Sequence, residues 1–260
     1  MRCRFYFFIA CPLFLWACAD STKSDDSGEL SREESVISKS IDYHFGSQND
    51  SLKFSFAFRN KAYSVKRFGG NYTYTMSFTD SIGQHFGILT NRGYTEQVDG
   101  SLVNLSTKDS TGRANALNSV VYFNLLPLLL KDPAVFAKSL DKERIEGKDY
   151  HKIEVRFSEE GGGEDHDDVY LYWFDANDHS MDYIAYSFRE NEGGTRFRKA
   201  VNRRRINGLV FQDYENYKGP ANPDSLLAIS RLFKMDSLDL LSFIETSRIK
   251  VDRSVPEASN

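Results

Sequence analysis

Cysteine is scarce in this chain, with 3 among 260 residues. Cys3 and Cys11 fall within the first 17 residues, so the rest of the sequence holds only Cys18. A single cysteine cannot form an internal disulfide, which excludes a small fold stapled by disulfides. Hydrophobic residues make up 40% of the chain, which is enough for a sizeable core instead.

An excess of basic charge is also missing. The chain has 33 Lys and Arg against 37 Asp and Glu, a formal net charge of −4. A nucleic-acid partner requires a clustered basic face, so we do not expect one. The basic stretch from Arg196 to Arg205 alternates between two faces of a predicted strand. We interpret it as a solvated strand edge guarded by charge, with binding of anionic lipid head groups as the alternative.

Motifs for catalysis and cofactors are lacking as well. The sequence has no glycine-rich phosphate loop, no zinc-ligand spacing and no nucleophile elbow. We therefore expect neither catalysis nor a cofactor. An acidic run containing Asp165, His166 and Asp168 is a candidate cation site. Its carboxylates lack the alternate spacing of a calcium loop, and a solvated hairpin tip is the simpler interpretation.

The N-terminus has the pattern of an export signal. Two arginines precede a short apolar stretch, residues 5–14, which is too short to span a bilayer. The following Leu15-Trp-Ala-Cys18 resembles the lipobox of bacterial lipoprotein signals. We predict that residues 1–17 are a signal peptide and that Cys18 is lipidated. An ordinary signal peptide with a chance cysteine is the alternative.

The residues after Cys18 predict how and where the protein is attached. Residues 18–30 are almost entirely polar, which is typical of a flexible tether. No second long apolar run follows, so lipid on Cys18 is the expected membrane anchor. Ala19 stands where inner-membrane lipoproteins carry aspartate, which favours the outer membrane. The periplasmic and surface faces both stay open.

Residues 31–260 predict a single domain that is mainly β. The capping box Ser31-Arg-Glu-Glu34 and the apolar spacing behind it predict a helix over residues 32–45. Strict apolar alternation, as in residues 52–58, predicts strands in much of the remainder. Asn207-Gly208 predicts a type I′ hairpin turn, because both central positions of that turn need a positive φ.

Residues 113–139 are more apolar and less regular. We predict a buried helical pair here, with a second helical piece over residues 133–140 that begins at Asp132-Pro133. A transmembrane helix is excluded because the apolar run is too short and Pro127 interrupts it. The pair is either plain core or the wall of an apolar cavity. The candidate cavity-lining residues are Val121, Phe123, Leu126, Leu129, Leu130 and Phe136.

These elements predict an α+β fold that is mainly β. We expect a single curved antiparallel sheet or incomplete β-barrel of about 10–11 strands. The N-terminal helix and the central apolar helical pair would cover one face of the sheet.

Three stretches together resemble a family of uncharacterised lipoproteins from Gram-negative bacteria. They contain Phe58-Arg-Asn-Lys-Ala-Tyr63, Val121-Tyr-Phe-Asn-Leu-Leu-Pro-Leu128 and Arg205-Ile-Asn-Gly-Leu-Val-Phe211. That family is similar in architecture to the LolA/LolB-like, lipoprotein-sorting fold. The resemblance implies an incomplete barrel with a helical lid over an apolar cavity, which holds acyl chains in carriers of this fold. It transfers no residue-level function, because no lipid-contacting position matches.

We expect one of two functions. The first is a membrane-anchored envelope lipoprotein that binds an apolar or lipid-like ligand in a half-barrel cavity, without catalysis. The alternative is an interaction or structural accessory of an envelope complex, with a protein partner and no small-molecule ligand. Fold alone does not decide between them.

Overall fold

The computed structural model describes residues 30–46, 49–158, 168–189 and 193–252. The predicted signal peptide, Cys18 and the predicted tether up to residue 29 lie outside these ranges. So do Asp165 and His166 of the candidate cation site.

The described residues form three α-helices, two short 3-10 helices and fifteen strands. The helices are α1 (Arg32–Phe45), α2 (Thr107–Leu125) and α3 (Ile229–Lys234), and the 3-10 helices are Leu128–Lys131 and Pro223–Ala228. The strands are β1 (Ser51–Phe58), β2 (Lys61–Phe68), β3 (Asn71–Thr79), β4 (Gln84–Thr90), β5 (Gly93–Val98), β6 (Ser101–Leu102), β7 (Val135–Ser139), β8 (Glu143–Ile145), β9 (Lys148–Phe157), β10 (Tyr170–Asp175), β11 (Met181–Phe188), β12 (Gly194–Ile206), β13 (Leu209–Lys218), β14 (Asp239–Ile244) and β15 (Thr246–Val251).

The strands form two open antiparallel sheets. The first sheet has seven strands in the order β15-β1-β2-β3-β4-β5-β6. The second has eight, in the order β14-β13-β12-β11-β10-β9-β7, with β8 also paired to β9. The predicted mainly β class, with helices over open antiparallel structure, is confirmed, and two sheets stand in place of the single curved sheet expected.

The described part of the chain has fifteen strands instead of the expected ten or eleven, and one of the extra strands arises where the chain changes sheets. The sequence from Phe243 to Val251 predicts a single last strand. In the structure β14 ends at Ile244 in the second sheet, and β15 begins at Thr246 in the first. The backbone N–H of Thr246 donates to Asp213 Oδ1 at 2.9 Å and fixes this corner.

Helix α1 begins and ends where the sequence predicts. The N–H of Ser31 donates to Glu34 Oε2 at 2.8 Å, and the N–H of Glu34 donates to Ser31 Oγ at 3.2 Å. This capping box satisfies backbone groups that a helix end otherwise leaves unpaired. The apolar face of α1, which includes Ile37 and Ile41, is buried.

A single apolar core fills the space between the sheets and the first two helices. Leu117, Val121 and Leu125 of α2 are fully buried in it. The sequence from Val169 to Phe174 is apolar or aromatic on both faces, which predicts a central strand. All six residues of β10 are buried, so this prediction is confirmed. Each fully buried large side chain stabilises the fold by about 1.5–3 kcal/mol.

The predicted helical piece over residues 133–140 is wrong. Residues Val135–Ser139 form β7, an edge strand of the second sheet that pairs with β9. The N–H of Val135 donates to the carbonyl of Asp132 at 2.9 Å, so the chain turns before the strand starts. The segment is too short for sequence periodicity to separate a helix from a strand.

The basic stretch lies on an internal strand, so its interpretation as a solvated edge is also wrong. Strand β12 lies between β11 and β13. The Arg198 guanidinium carbon lies 3.8 Å from the ring centroid of Phe123. Arg203 donates to Asp182 at 2.6 Å. The arginines are therefore held by partners inside the fold.

A second, smaller core covers part of the outer face of the second sheet. Trp173 and Phe197 are fully buried there beneath Leu226 and Ile229. The cover consists of the 3-10 helix Pro223–Ala228 and α3. This helical segment starts after Asn222, as expected from a proline at the first helical position. This half of the outer face is closed by the chain itself.

Candidate ligand-binding groove

A groove of about 620 Å³ lies between α1, the turn of residues 130–133 and β7. We call it the α1–β7 groove. Its volume falls within the range that small-molecule sites occupy in proteins. It lies at the outer edge of the second sheet, next to the first described residue, Leu30.

The floor of the α1–β7 groove is apolar and continuous with the core. Ile37 and Ile41 of α1 and Leu130 of the turn are at most 5% exposed. At its mouth, Leu30 and Phe136 are 59% and 63% exposed. Large apolar side chains that stay exposed around a concave surface are typical of a site that binds an apolar group.

Strand β7 supplies a wall with free backbone groups. The N–H of Leu140 donates to the carbonyl of Lys152 at 2.9 Å, which fixes the hydrogen-bonded pairs with β9. Because such pairs alternate along an antiparallel ladder, Phe136 and Lys138 bond to β9. The N–H and C=O of Ala137 therefore point away from β9, on the open edge that borders the groove.

Three carboxylates lie on the rim, those of Glu33, Glu34 and Asp132. The hydroxyl of Ser139 donates to Glu33 Oε2 at 3.0 Å. The backbone N–H of Glu33 itself and then this hydroxyl hold the pKa of Glu33 below its ordinary value. Glu33 is therefore negatively charged at neutral pH.

The lining has one basic residue, Lys131. Its ammonium group donates to Asn49 Oδ1 at 2.8 Å and to Asp50 Oδ1 at 3.3 Å. Three carboxylates and one ammonium group give the lining a formal charge of −2. Asp50 also neutralises the lysine, so the rim is acidic around an apolar floor.

The predicted cavity-lining residues are divided among three places. Leu130 and Phe136 line the α1–β7 groove. Leu129 lines a smaller neighbouring groove of about 190 Å³. Val121 and Leu126 lie in the packed core, and Phe123 packs against its margin.

Sequence reasoning missed the share of α1 in the groove. Ile37, Ile41, Glu33 and Glu34 all line it, and all lie in the helix that the capping box predicts. The helical spacing identifies the buried face. It carries no information on which strand edge that face meets, about 100 residues later in the chain.

A polar pocket of about 280 Å³ lies elsewhere on the second sheet, where β12 bulges. Asp182 accepts hydrogen bonds there from Arg203 at 2.6 Å, Tyr150 at 3.0 Å and Ser180 at 2.8 Å. Burial raises the pKa of Tyr150 far above its ordinary value. These groups satisfy one another and tie β9, β11 and β12 together, so we assign this network to structure.

No group of three or more His, Cys, Asp or Glu in the described ranges is placed to hold a metal ion. Asp168 of the candidate cation site lies just before β10. Within the same ranges, no helix is both long and apolar enough to cross a membrane.

A model of a family of unknown function (DUF6503) matches residues 2–246. No curated protein matches the sequence.

Among solved structures, the chain is similar to a LolA superfamily protein from Nitrosomonas europaea. The identity is 13% and the TM-score 0.50, over 87% of this chain and 96% of that chain. A DUF1329 family protein from Desulfovibrio piger has 10% identity and a TM-score of 0.49, over 88% and 97%. Lipoprotein LppX from Mycobacterium tuberculosis has 13% identity and a TM-score of 0.26, over 60% and 87%. The likeness to the first structure confirms the predicted LolA-like fold and nothing finer.

Proposed function

We propose that this chain, which belongs to the family of unknown function DUF6503, binds an apolar or lipid-like ligand in the α1–β7 groove. One observation carries the proposal. Exposed Leu30 and Phe136 stand at the mouth of a concave site whose floor is the buried apolar face of α1. Water on such a surface is released when an apolar group covers it.

The site of binding is the groove at the sheet edge and not the space between the sheets. Side chains from both sheets and from α2 form one continuous buried cluster in that space. The groove meets the cluster at its floor, through Ile37, Ile41 and Leu130, and Val135 and Ala137 of its wall pack against the margin of the cluster. A ligand therefore binds beside the core without displacing it.

The proposal does not include catalysis. The lining contains no histidine, which is the commonest general base, and no cysteine. The Glu33 carboxylate accepts a hydrogen bond from Ser139 instead of facing a reacting group.

Replacing Phe136 by Asp tests the groove directly. The full-length Cys18→Ala chain, which has no acylated cysteine, is titrated with the fluorescent apolar probe 1-N-phenylnaphthylamine. Phe136→Asp is expected to weaken probe binding at least about tenfold, because it puts a charge where the apolar group sits. The exposed position of Phe136 keeps the fold intact.

Phe243→Asp is the matched control. Phe243 is 59% exposed on β14, the opposite edge strand of the same sheet. This variant should bind the probe within about twofold of the parent chain. An equal loss in both variants, or a parent chain that binds no probe, contradicts the proposal.

A further inference from the structure

Helix α1 separates the charged residues at its N-terminal end. Glu33, Glu34 and Ser38 line the α1–β7 groove. Arg32 and Lys39 are exposed and absent from the lining. At 100° per residue, these two basic residues fall on the flank of the helix opposite the groove. The groove side of α1 is thus acidic.

The turn opposite α1 adds to this asymmetry. Asp132 contributes a third carboxylate, whose Oδ1 accepts a hydrogen bond from the N–H of Ala134 at 3.0 Å. Lys131 donates to Asn49 and Asp50, so a carboxylate outside the lining already offsets its charge. No other ammonium or guanidinium group belongs to the lining among the described residues.

The positive end of the α1 dipole does not make the groove side of the helix positive. The N–H groups of Ser31 and Glu34 are already occupied by the capping box. Glu33 and Glu34 stand in the first turn, where carboxylates offset the helix dipole. The capping box and the two carboxylates therefore make this helix end unfavourable for an anionic head group.

We propose that the α1–β7 groove selects amphiphiles with a cationic head group over anionic ones of the same chain length. The apolar chain lies on Ile37, Ile41 and Leu130, and the head lies at Glu33, Glu34 and Asp132. This selectivity rests on the proposed function, since it needs an apolar chain in the groove. It names the ligand class that the same site takes.

Charge complementarity determines the preference. A cationic head gains attraction from a rim of formal charge −2, and an anionic head is repelled by it. Because the rim is open to solvent, salt screens the effect over about 8–10 Å. A preference of about tenfold at low salt, falling towards unity at high salt, is the expected result.

The test is displacement of bound 1-N-phenylnaphthylamine from the full-length Cys18→Ala chain. The competitors are dodecyltrimethylammonium, dodecane-1-sulfonate and uncharged dodecan-1-ol, each below its aggregation limit. The cation is expected to displace the probe at the lowest concentration and the sulfonate at the highest. At a higher salt concentration, the three competitors should displace the probe at similar concentrations.

A triple variant, Glu33→Gln/Glu34→Gln/Asp132→Asn, removes the rim charge and keeps oxygen acceptors for the existing hydrogen bonds. It should bind the probe as the parent does and lose the preference for the cation. The control is Asp42→Asn/Asp149→Asn/Asp239→Asn, which removes the same charge at exposed positions outside the lining. The control should keep the preference.

The outcomes separate the two proposals. If the probe binds but cation and sulfonate displace it equally, the charge selectivity is wrong and the apolar site stands. If the control also loses the preference for the cation, the net charge of the protein causes the preference and the rim does not. The proposed charge selectivity of the groove is then wrong as well. If neither the probe nor any competitor binds, both proposals fail.

Discussion

Burial decides which single residues of this fold can carry a charge. His44 is 1% exposed at the end of α1, and its Nε2 accepts a hydrogen bond from the N–H of Met181 at 3.1 Å. Burial first, and then the nearby Arg203 guanidinium, lower the pKa of His44 to about 3. The native imidazole is therefore neutral well into the acid range.

Because His44 is buried as the neutral imidazole, the free energy of unfolding depends on pH. The pKa of His44 is about 3 in the folded chain and about 6.5 in the unfolded chain. Between these two pH values the unfolded chain therefore binds a proton that the folded chain does not. The contribution is fully present above pH 6.5 and is lost as pH falls from there towards 3. Between pH 7.5 and 4.5 the loss is roughly 2 to 3 kcal/mol.

His44→Gln removes this titration. The variant is expected to be less stable at pH 7.5 because it loses ring packing. Its further loss between pH 7.5 and 4.5 should be smaller than that of the parent by about 2 kcal/mol. Urea denaturation at both pH values measures the difference, and parallel losses in the two proteins would show that His44 is not responsible.

At the scale of elements, a buried ion network attaches α2 to the first sheet. Arg113 of α2 forms a salt bridge with Glu96, which is 2% exposed on β5. The hydroxyl of Tyr94 donates to Glu96 at 2.7 Å, and His85 Nδ1 lies 2.8 Å from it. His85 Nε2 lies 3.0 Å from Asp80.

The network also sets the charge of its members. Burial raises the pKa of Glu96, but the bonds from Arg113, His85 and Tyr94 outweigh it, so the net pKa is lowered. The bond to Glu96 is the largest cause that raises the pKa of His85. Since this folded pKa is raised, the stability from His85 is complete below pH 6.5 and is lost as pH rises through the folded value.

Glu96→Gln is expected to cost about 3 kcal/mol, because it leaves Arg113 without its charged partner and leaves His85 with Asp80 alone. Amide hydrogen exchange should rise mainly in the first turns of α2, where Arg113 provides the attachment. Asp149→Asn, which breaks the exposed pair with Arg144 at 3.6 Å, is the control. It should cost less than about 0.5 kcal/mol. Unchanged exchange in α2 would contradict this account of its attachment.

The elements differ in how much their own sequence determines them. Helix α1 is predictable because its cap, its apolar spacing and its end all lie within residues 31–46. Strand β7 is not, because five residues show no decisive period and pairing with β9 decides the outcome. The same holds for β12, whose charged side chains suggest an edge until the pairing with β11 and β13 is known.

At the scale of the whole molecule, the groove and the predicted anchor lie close together along the chain. Leu30 lines the groove, and Cys18 stands twelve residues before it. A chain of that length spans at most about 40 Å. A lipid on Cys18 would therefore keep the groove within that distance of a membrane surface.

We expect Cys18→Ala to abolish labelling with radioactive palmitate and to release the protein from the membrane fraction. Cys11→Ala, which lies within the predicted signal peptide, should leave both properties unchanged. Fractionation and labelling of cells that express each variant measure the result. Labelling that persists in Cys18→Ala would overturn the predicted anchor, without bearing on the groove.

The sequence alone determined the mainly β class, α1 with its cap, the central strand β10 and the start of the C-terminal helical segment, because each depends on neighbours a few residues apart. Tertiary structure alone decided the division into two sheets, the edge position of β7 and the groove itself. The groove brings together residues 30–41 and 130–137. The second sheet, which holds β7 at this place, is built from strands between Val135 and Ile244. Local patterns identify apolar faces, but only packing decides which faces meet and which stay open to a ligand.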